Sequence, residues 1–363
     1  MRGLADVPAS AAAALGVPGY VDTLGLGEAR HVVMVLVDGL GWNSLQQHRE
    51  LAPCLTSDRH EAAEISTVFP STTPAGLGTL GTGLLPGAHG LVGASFWLPE
   101  SEEILTPLHW NDGVTPQAVQ PERTIFETAA LHGIEVTTVA PGAYSDSGLT
   151  RAVLRGGTYE AADSLAARVE LTHRLVRSTA PTLTYVYWPD LDRTGHGSGV
   201  GSRRWKDDLE QVDRLIGQIA ESLPAGTVAI VTADHGMVNC DDRISIDDDP
   251  ALRDAVVRVA GEPRMRHVYV HEGAEFEVAE TWRERLEGKV DVRTREEIID
   301  SGLLGDVELD IAERVGDLVA ISRGTTSLSS SFDRRVSSLI GQHGAMTDDE
   351  MRIPAIIMRG SGY

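Results

Sequence analysis

His31-Val-Val-Met-Val-Leu-Val37 is an unbroken apolar run, rich in valine, that stops at Asp38-Gly39. A strand with one wet face alternates apolar and polar residues, so an unbroken run predicts a central parallel strand covered on both faces. Similar runs recur at Val136-Thr-Thr-Val-Ala140, Leu183-Thr-Tyr-Val-Tyr187 and Val228-Ala-Ile-Val-Thr232. Helical patterns lie between them. In 203–223, Trp205, Leu209, Val212, Ile216 and Ile219 form one apolar stripe, with Lys206, Asp207, Glu210 and Asp213 placed opposite. Segments 122–132 and 162–177 read the same way. Strands alternating with helices predict βαβ units, hence an α/β fold around a mostly parallel sheet.

The chain around these runs has 363 residues, 42% of them hydrophobic, enough for one large α/β domain or two smaller ones. Its 31 basic and 53 acidic residues leave a net charge of −22. That excludes a basic footprint for a nucleic acid polymer, or for an anionic membrane. A small anionic substrate remains compatible, because a bound cation dominates its own neighbourhood. Cys54 and Cys240 are too few for a disulfide framework or a cysteine metal cage. Ala11 to Ala14 is too short for a signal segment, and no run of about 18 apolar residues occurs. The expectation is a cytoplasmic protein, with its oligomeric state open.

From about 251 to 320 the texture changes. Charges crowd in at Arg283-Glu-Arg285 and Arg293-Thr-Arg-Glu-Glu297, and the apolar runs shorten to His267-Val-Tyr-Val270 and Leu318-Val-Ala-Ile321. This predicts a small α+β insertion (about 251–320) in a single domain spanning 1–363, with its core in about 28–250 and 321–363. Ser327 to Ser331 reads as a polar loop.

The chemistry lies just past the strand ends. The first strand ends in Asp38, the third runs into Asp190-Leu-Asp192-Arg-Thr-Gly-His196, and the fourth ends in Asp234-His235-Gly236. Gly341-Gln-His343-Gly344 adds a histidine in a glycine-flanked turn. Singly, each has an ordinary reading as a turn residue, a helix cap or a surface histidine. Jointly they bring three aspartates and three histidines to the carboxyl edge of a parallel sheet, where open α/β folds bind ligands. Carboxylate and imidazole suit zinc, manganese or iron, and two ions about 3.5–4 Å apart would use all six. Phe69-Pro-Ser-Thr-Thr-Pro74 then places hydroxyls at the start of a glycine-rich helix, where positive potential favours an alkoxide and an attached phosphoryl group. An ordinary N-cap is the alternative.

Asp38-Gly39, Phe69-Pro-Ser-Thr-Thr73, Thr82-Gly-Leu-Leu-Pro-Gly-Ala-His-Gly90, Asp192-x-x-x-His196, Thr232-Ala-Asp-His-Gly-Met237 and Gly341-Gln-His-Gly344 occur in the order seen in the type I phosphodiesterase/nucleotide pyrophosphatase branch of the alkaline phosphatase superfamily, which the chain resembles over about 31–357, the 251–320 segment aside. The resemblance implies an alkaline-phosphatase-like three-layer α/β/α fold and two divalent metal ions, zinc first, with manganese or iron as alternatives. Asp192, His196 and His343 would hold one ion. Asp38, Asp234 and His235 would hold the other, completed by the oxygen of the nucleophile, Thr73. Thr72 is the rival to Thr73, and Asp190 the rival to Asp192. The implied activity is hydrolysis of a phosphate diester or phosphoanhydride through a phosphothreonine intermediate, on a small phosphorylated substrate with nucleotides among the candidates. One position departs. The family carries an asparagine twenty-one residues after the nucleophile, as a donor to a phosphoryl oxygen, and here it is Ala94. Losing such a donor costs about 3–4 kcal/mol of transition-state stabilisation, so a phosphomonoesterase or phosphonate hydrolase is the alternative within the superfamily.

Other readings weigh less. Gly76-x-Gly78-x-x-Gly81 matches a dinucleotide-binding fingerprint, but Pro70 to Pro74 intervene before the helix and no second strand carries the expected acid. Those glycines instead predict close packing of the helix behind the nucleophile. A sulfatase would need a modified cysteine or serine in a Cys/Ser-x-Pro-x-Arg setting, whereas Phe69 to Ala75 has no arginine and no cysteine, and a phosphoglycerate mutase would need a basic clamp. Asp247–Asp249 and Asp348–Glu350 read as solvated loops. His89 belongs to the turn near the site, and His267 and the remaining histidines receive no role. A non-catalytic metal-binding protein is the alternative of another class.

Overall fold

The computed structural model describes residues 2–361. Its principal strands, in chain order, are β1 His31–Val37, β2 Glu61–Ser66, β3 Glu135–Ala140, β4 Thr158–Ala161, β5 Thr182–Trp188, β6 Thr227–Thr232, β7 Val256–Glu262, β8 Met265–Val270, β9 Val290–Thr294, β10 Leu318–Ser322 and β11 Arg352–Arg359. Seven of them form the central sheet in the order β2-β11-β6-β1-β5-β3-β4. The five from β6 to β4 are parallel, and β11 runs antiparallel between β6 and β2.

Register decides where the chemistry falls. Val37 pairs with Trp188 and Leu36 with Thr232, so β1, β5 and β6 end nearly level. Their next residues, Asp38, Pro189 and Ala233-Asp234, therefore emerge side by side. All seven residues of β1 and all six of β6 are buried, as their unbroken apolar runs require.

An N-terminal helix spans Asp6–Ala14; the helices used below are α1 Thr73–Thr82, α2 Ile125–Leu131, α3 Leu165–Leu175, α4 Asp190–Ser198, α5 Arg203–Ala220 and α6 Glu275–Arg285, with shorter ones between. A capping box closes α2, the Thr124 side chain accepting from Glu127 N–H while Glu127 accepts from Thr124 N–H. The whole stripe from Trp205 to Ile219 is buried. Asp213 does not belong to the wet face: it is buried and accepts from the N–H groups of Cys54 and Leu55, both at 2.9 Å.

The strand before Thr73 is Glu61–Ser66, whose pairing with β11 ends at Ser66↔Arg352. One further expectation needs correction. The serine-rich loop is partly a strand, since Thr326–Ser329 pairs in parallel with Asp242–Ser245. The stretch from 256 to 322 forms a second sheet, ordered β7-β8-β10-β9, with Trp282 of α6 buried in its own apolar cluster.

The glycines of α1 show why that helix is glycine-rich. A Cβ on Gly76 would stand 2.7 Å from the Asp234 Cβ, one on Gly78 would meet the His89 ring at 2.5 Å, and one on Gly81 would collide with the Val153 carbonyl. The helix thus rests directly on the strand end that carries Asp234-His235.

Candidate active site

Thr73 is the first residue of α1 and is buried. Its Oγ1 stands 3.1 Å from His235 Nε2. His235 Nδ1 lies 3.0 Å from the Gly236 carbonyl, which places the proton on Nδ1 and leaves Nε2 to accept from the threonine hydroxyl. Thr72 sits one residue earlier in extended backbone, also buried. Thr73 is the one whose hydroxyl meets His235.

Around this pair the six expected side chains converge. Asp38 Oδ1 and Asp234 Oδ2 stand 3.5 and 3.4 Å from His235 Nε2. Asp192 stands 3.4 Å from His196 Nε2 through one oxygen and 3.8 Å from His343 Nε2 through the other. Asp190 pairs with Arg193 instead. The two groups whose ligand atoms all lie within 4.8 Å of one another are Asp192, His196 and His343, and Asp38, Asp192 and His235. Asp192 therefore belongs to both, a sharing that spacing in the sequence does not foretell, and Asp234 joins from the β6 side.

The donor set fits divalent cations. Each histidine directs Nδ1 to a backbone carbonyl, His196 to Gly341 at 2.7 Å and His343 to Ser71 at 2.9 Å, so all three Nε2 lone pairs point inward. Nε2 of His196 and of His343 are 3.2 Å apart, two acceptors facing one another. Asp38 Oδ1, Asp192 Oδ1 and Asp234 Oδ2 are buried without a hydrogen-bond partner. Buried carboxylate oxygens and facing imidazole lone pairs repel unless a cation lies between them. Titration behaviour agrees. Burial, then the nearby Asp234 and Asp192, hold the Asp38 carboxyl well above the ordinary range. Burial also raises Asp234, while burial and the neighbouring His235 and His196 hold His343 well below the ordinary histidine value. The His235 and His343 rings stack 3.6 Å apart at 14°.

Several supporting groups are invisible to sequence reasoning. The Tyr187 hydroxyl donates to Asp38 Oδ2, which leaves Oδ1 aimed at His235. Alternation along β5 was the available signal, but its partner lies on the adjacent strand. Ser71 accepts from Gly344 N–H at 3.0 Å and donates to the Ala345 carbonyl, which ties the loop before Thr73 to the His343 turn. His89 is a neutral core histidine, its pKa pushed down to about 3 by burial, that accepts from Leu91 N–H and contacts Thr79.

Ala94 lies on a loop gripped by the second sheet. Its N–H donates to Glu262 at 2.9 Å, the Ser95 hydroxyl to the Gly261 carbonyl at 3.0 Å, and His267 Nε2 to the Val92 carbonyl at 3.0 Å. Burial pushes the Glu262 carboxyl up to about 8.

Known proteins resemble the chain in sequence and in shape. Rat and human ectonucleotide pyrophosphatase/phosphodiesterase family member 7 are each 26% identical to it, over 59% and 67% of this chain and 51% and 56% of theirs. The chain thus spans about half the length of these curated relatives. Among solved structures, murine ectonucleotide pyrophosphatase/phosphodiesterase 5 superposes with a TM-score of 0.72 at 21% identity, covering 91% of this chain and 88% of that one. An inactive threonine-to-alanine variant of the murine protein, in complex with AMP, superposes at 0.71 with 20% identity, covering 90% and 87%. Phosphonoacetate hydrolase from Sinorhizobium meliloti, in complex with phosphonoformate, superposes at 0.70 with 20% identity, covering 92% and 91%. At such identities the structural likeness establishes the fold, a mixed α/β architecture shared with these enzymes. Residues 32–346 match the family profile described as type I phosphodiesterase / nucleotide pyrophosphatase, and the chain belongs to that family.

Proposed function

We propose that this chain hydrolyses phosphate diester or phosphoanhydride bonds through a phosphothreonine intermediate on Thr73, as a single catalytic domain with the 251–320 segment inserted. The observation that carries the reading is the Thr73 hydroxyl, 3.1 Å from His235, at the rim of six converging acids and histidines whose inner oxygens lack partners. Asp192, His196 and His343 would hold one divalent ion, and Asp38, Asp234 and His235 the other, with zinc favoured by the mixed nitrogen and oxygen donors. Bound there, the ions neutralise phosphoryl charge and lower the pKa of a coordinated hydroxyl or water.

The chain's own residues do the rest. Helix α1 presents Thr73 at its positive end, where an alkoxide is favoured. Thr73 Oγ attacks phosphorus in line, the bond to the leaving oxygen breaks, and the phosphoryl group rests on Thr73. Water attacks this ester from the side that the leaving group vacated, which frees phosphate product and restores the hydroxyl. The AMP complex of the murine neighbour supports a nucleotide as one substrate candidate.

Ala94 favours a second reading. With no amide donor to a non-bridging oxygen, and with a phosphonoacetate hydrolase among the structural neighbours, a phosphomonoester or phosphonate is the rival substrate.

The test is metal analysis beside hydrolysis of bis(p-nitrophenyl) phosphate, p-nitrophenyl phosphate and a p-nitrophenyl nucleotide ester. About two metal ions per chain and faster diester turnover are expected. Thr73→Ala should keep the metal and lose turnover by about a thousandfold or more. A preference for the monoester would move the substrate. Full activity in Thr73→Ala with a dead Thr72→Ala would shift the nucleophile by one, and a chain that takes up no metal would sink the reading.

A further inference from the structure

Arg168 of α3 is buried, at 2% exposure. Its guanidinium carbon stands 4.7 Å from the centre of the Trp188 ring. Trp188 ends β5, and its carbonyl accepts from Asp38 N–H at 2.9 Å. One strand end therefore separates this cation from the acid cluster. Its bonding distinguishes it. A guanidinium has five N–H donors, and each other buried arginine uses some of them: Arg264 on Glu350, Arg266 on Asp333 and the Leu328 carbonyl, and Arg314, its own Nε unpartnered, through Nη1 on the carbonyls of Gly90 and Val119. Arg168 Nε is buried with no partner, and among the described residues no carboxylate lies within ion-pair distance of the guanidinium.

The groups whose charge or hydroxyl reaches it are Asp190, Asp163, Tyr159 and Tyr144. Three are committed elsewhere. Asp190 pairs with Arg193, Asp163 accepts from Gly142 N–H at 2.9 Å, and the Tyr159 hydroxyl donates to the Pro141 carbonyl at 2.6 Å. Tyr144 leads back to the site: it lies in the field of both Asp38 and Arg168, and its ring meets that of Tyr187, the tyrosine bonded to Asp38, at 6.0 Å edge-on. The Trp188 face supplies a cation–π contact but satisfies no N–H. In a chain of net charge −22, this buried cation forms no ion pair of its own, the nearby Asp190 and Asp163 each being bonded elsewhere.

We propose that Arg168, with Tyr144 at its rim, is an anion subsite for a second acidic group of the substrate. The substrate class is then a small phosphoryl compound that carries a further phosphate, phosphonate or carboxylate. The forked, weakly hydrated guanidinium suits any such oxyanion. The proposal rests on the reading of Thr73 and the cluster as the phosphoryl centre.

Three probes test it by calorimetry on zinc-loaded protein freed of excess metal: methylphosphonate, phosphonoacetate and methylenediphosphonate. At least one of the two doubly acidic probes should bind about tenfold or more tightly than methylphosphonate, the scale of a charge-assisted contact, and which one does so tells carboxylate from phosphate. Arg168→Met should erase that advantage and keep the methylphosphonate affinity, while Arg168→Lys keeps part of it. Ligand-free Arg168→Met should resist urea at least as well as the parent, because it loses an uncompensated buried charge. An advantage that survives in Arg168→Met overturns the subsite. So does a marked loss of ligand-free stability, which would make Arg168 a structural residue. Methylphosphonate binding with no advantage for either larger probe overturns the subsite alone, whereas no binding by any of the three removes the phosphoryl-centre reading along with it.

Discussion

Arg264 and Glu350, where the second sheet meets the chain's final turn, form a closed pair: two guanidinium bonds at 3.0 and 2.8 Å, with Glu350 also accepting from Ala345 N–H at 3.0 Å. Asp38 and Asp234, at the edge of the first sheet, are buried just as deeply, yet each has an oxygen with no partner. Both regions bury charge, but only one completes it. Since an unpaired buried charge costs several kcal/mol, a fold keeps one only where something else repays it. The contrast separates architecture from chemistry without reference to any relative.

Substitution should break the comparison in opposite directions. Arg264→Met leaves the Glu350 carboxylate buried without its cation, and urea unfolding should show a loss of about 3–5 kcal/mol. Asp234→Asn removes a charge that faces Asp38 and Asp192, so the metal-free protein should be as stable as the parent or more so, while metal analysis shows reduced uptake. Equal destabilisation by the two variants would mean that the acid cluster is structural, and the distinction would fall.

The same contrast marks how far the sequence could be read. The β1, β5 and β6 runs are legible because burial on both faces leaves no room for alternation, and Asp38, Asp192 and Asp234-His235 are legible because they follow those runs. Residues whose roles depend on register or distant backbone are not. Tyr187 looks like one more β5 residue until pairing brings it to Asp38. Asp213 sits in a polar stripe until the N–H groups of Cys54 and Leu55, some 158 residues earlier, claim it. The β11 strand contains Pro354, a weak signal in a sheet interior, and its place between β2 and β6 is a long-range choice that no local pattern states. Arg168 reads as an ordinary helix residue because an absent partner leaves no trace in sequence.

Tyr187→Phe sharpens the open side of the comparison. Asp38 keeps its place but loses the donor that holds Oδ2, so chelator competition should show metal affinity lowered by about 10–100-fold. Turnover should recover as zinc is raised, because Thr73 and its surroundings are untouched. Activity that stays low at saturating metal, with affinity unchanged, would give Tyr187 a direct role toward the substrate instead.

The smallest effect concerns a third kind of burial, the neutral histidine. His267 is buried, donates through Nε2 to the Val92 carbonyl and accepts at Nδ1 from Gly316 N–H at 3.2 Å. A proton on Nδ1 would break the second bond, and burial pushes its pKa down to about 4. The unfolded residue takes up its proton near 6.5, the folded one only near 4, so between these values the unfolded chain holds the extra proton. Stability from this residue is therefore whole above about pH 7 and falls as pH drops toward 4, by up to about 1.4 kcal/mol per unit. His267→Gln keeps a donor and an acceptor but cannot titrate. Its stability deficit against the parent at pH 7 should narrow by about 1–2 kcal/mol at pH 5 in paired urea titrations, since His89 contributes equally to both proteins and cancels. A deficit that stays constant with pH would move the acid sensitivity elsewhere. A narrowing one would show that acid loosens the grip of the second sheet on the loop bearing Ala94.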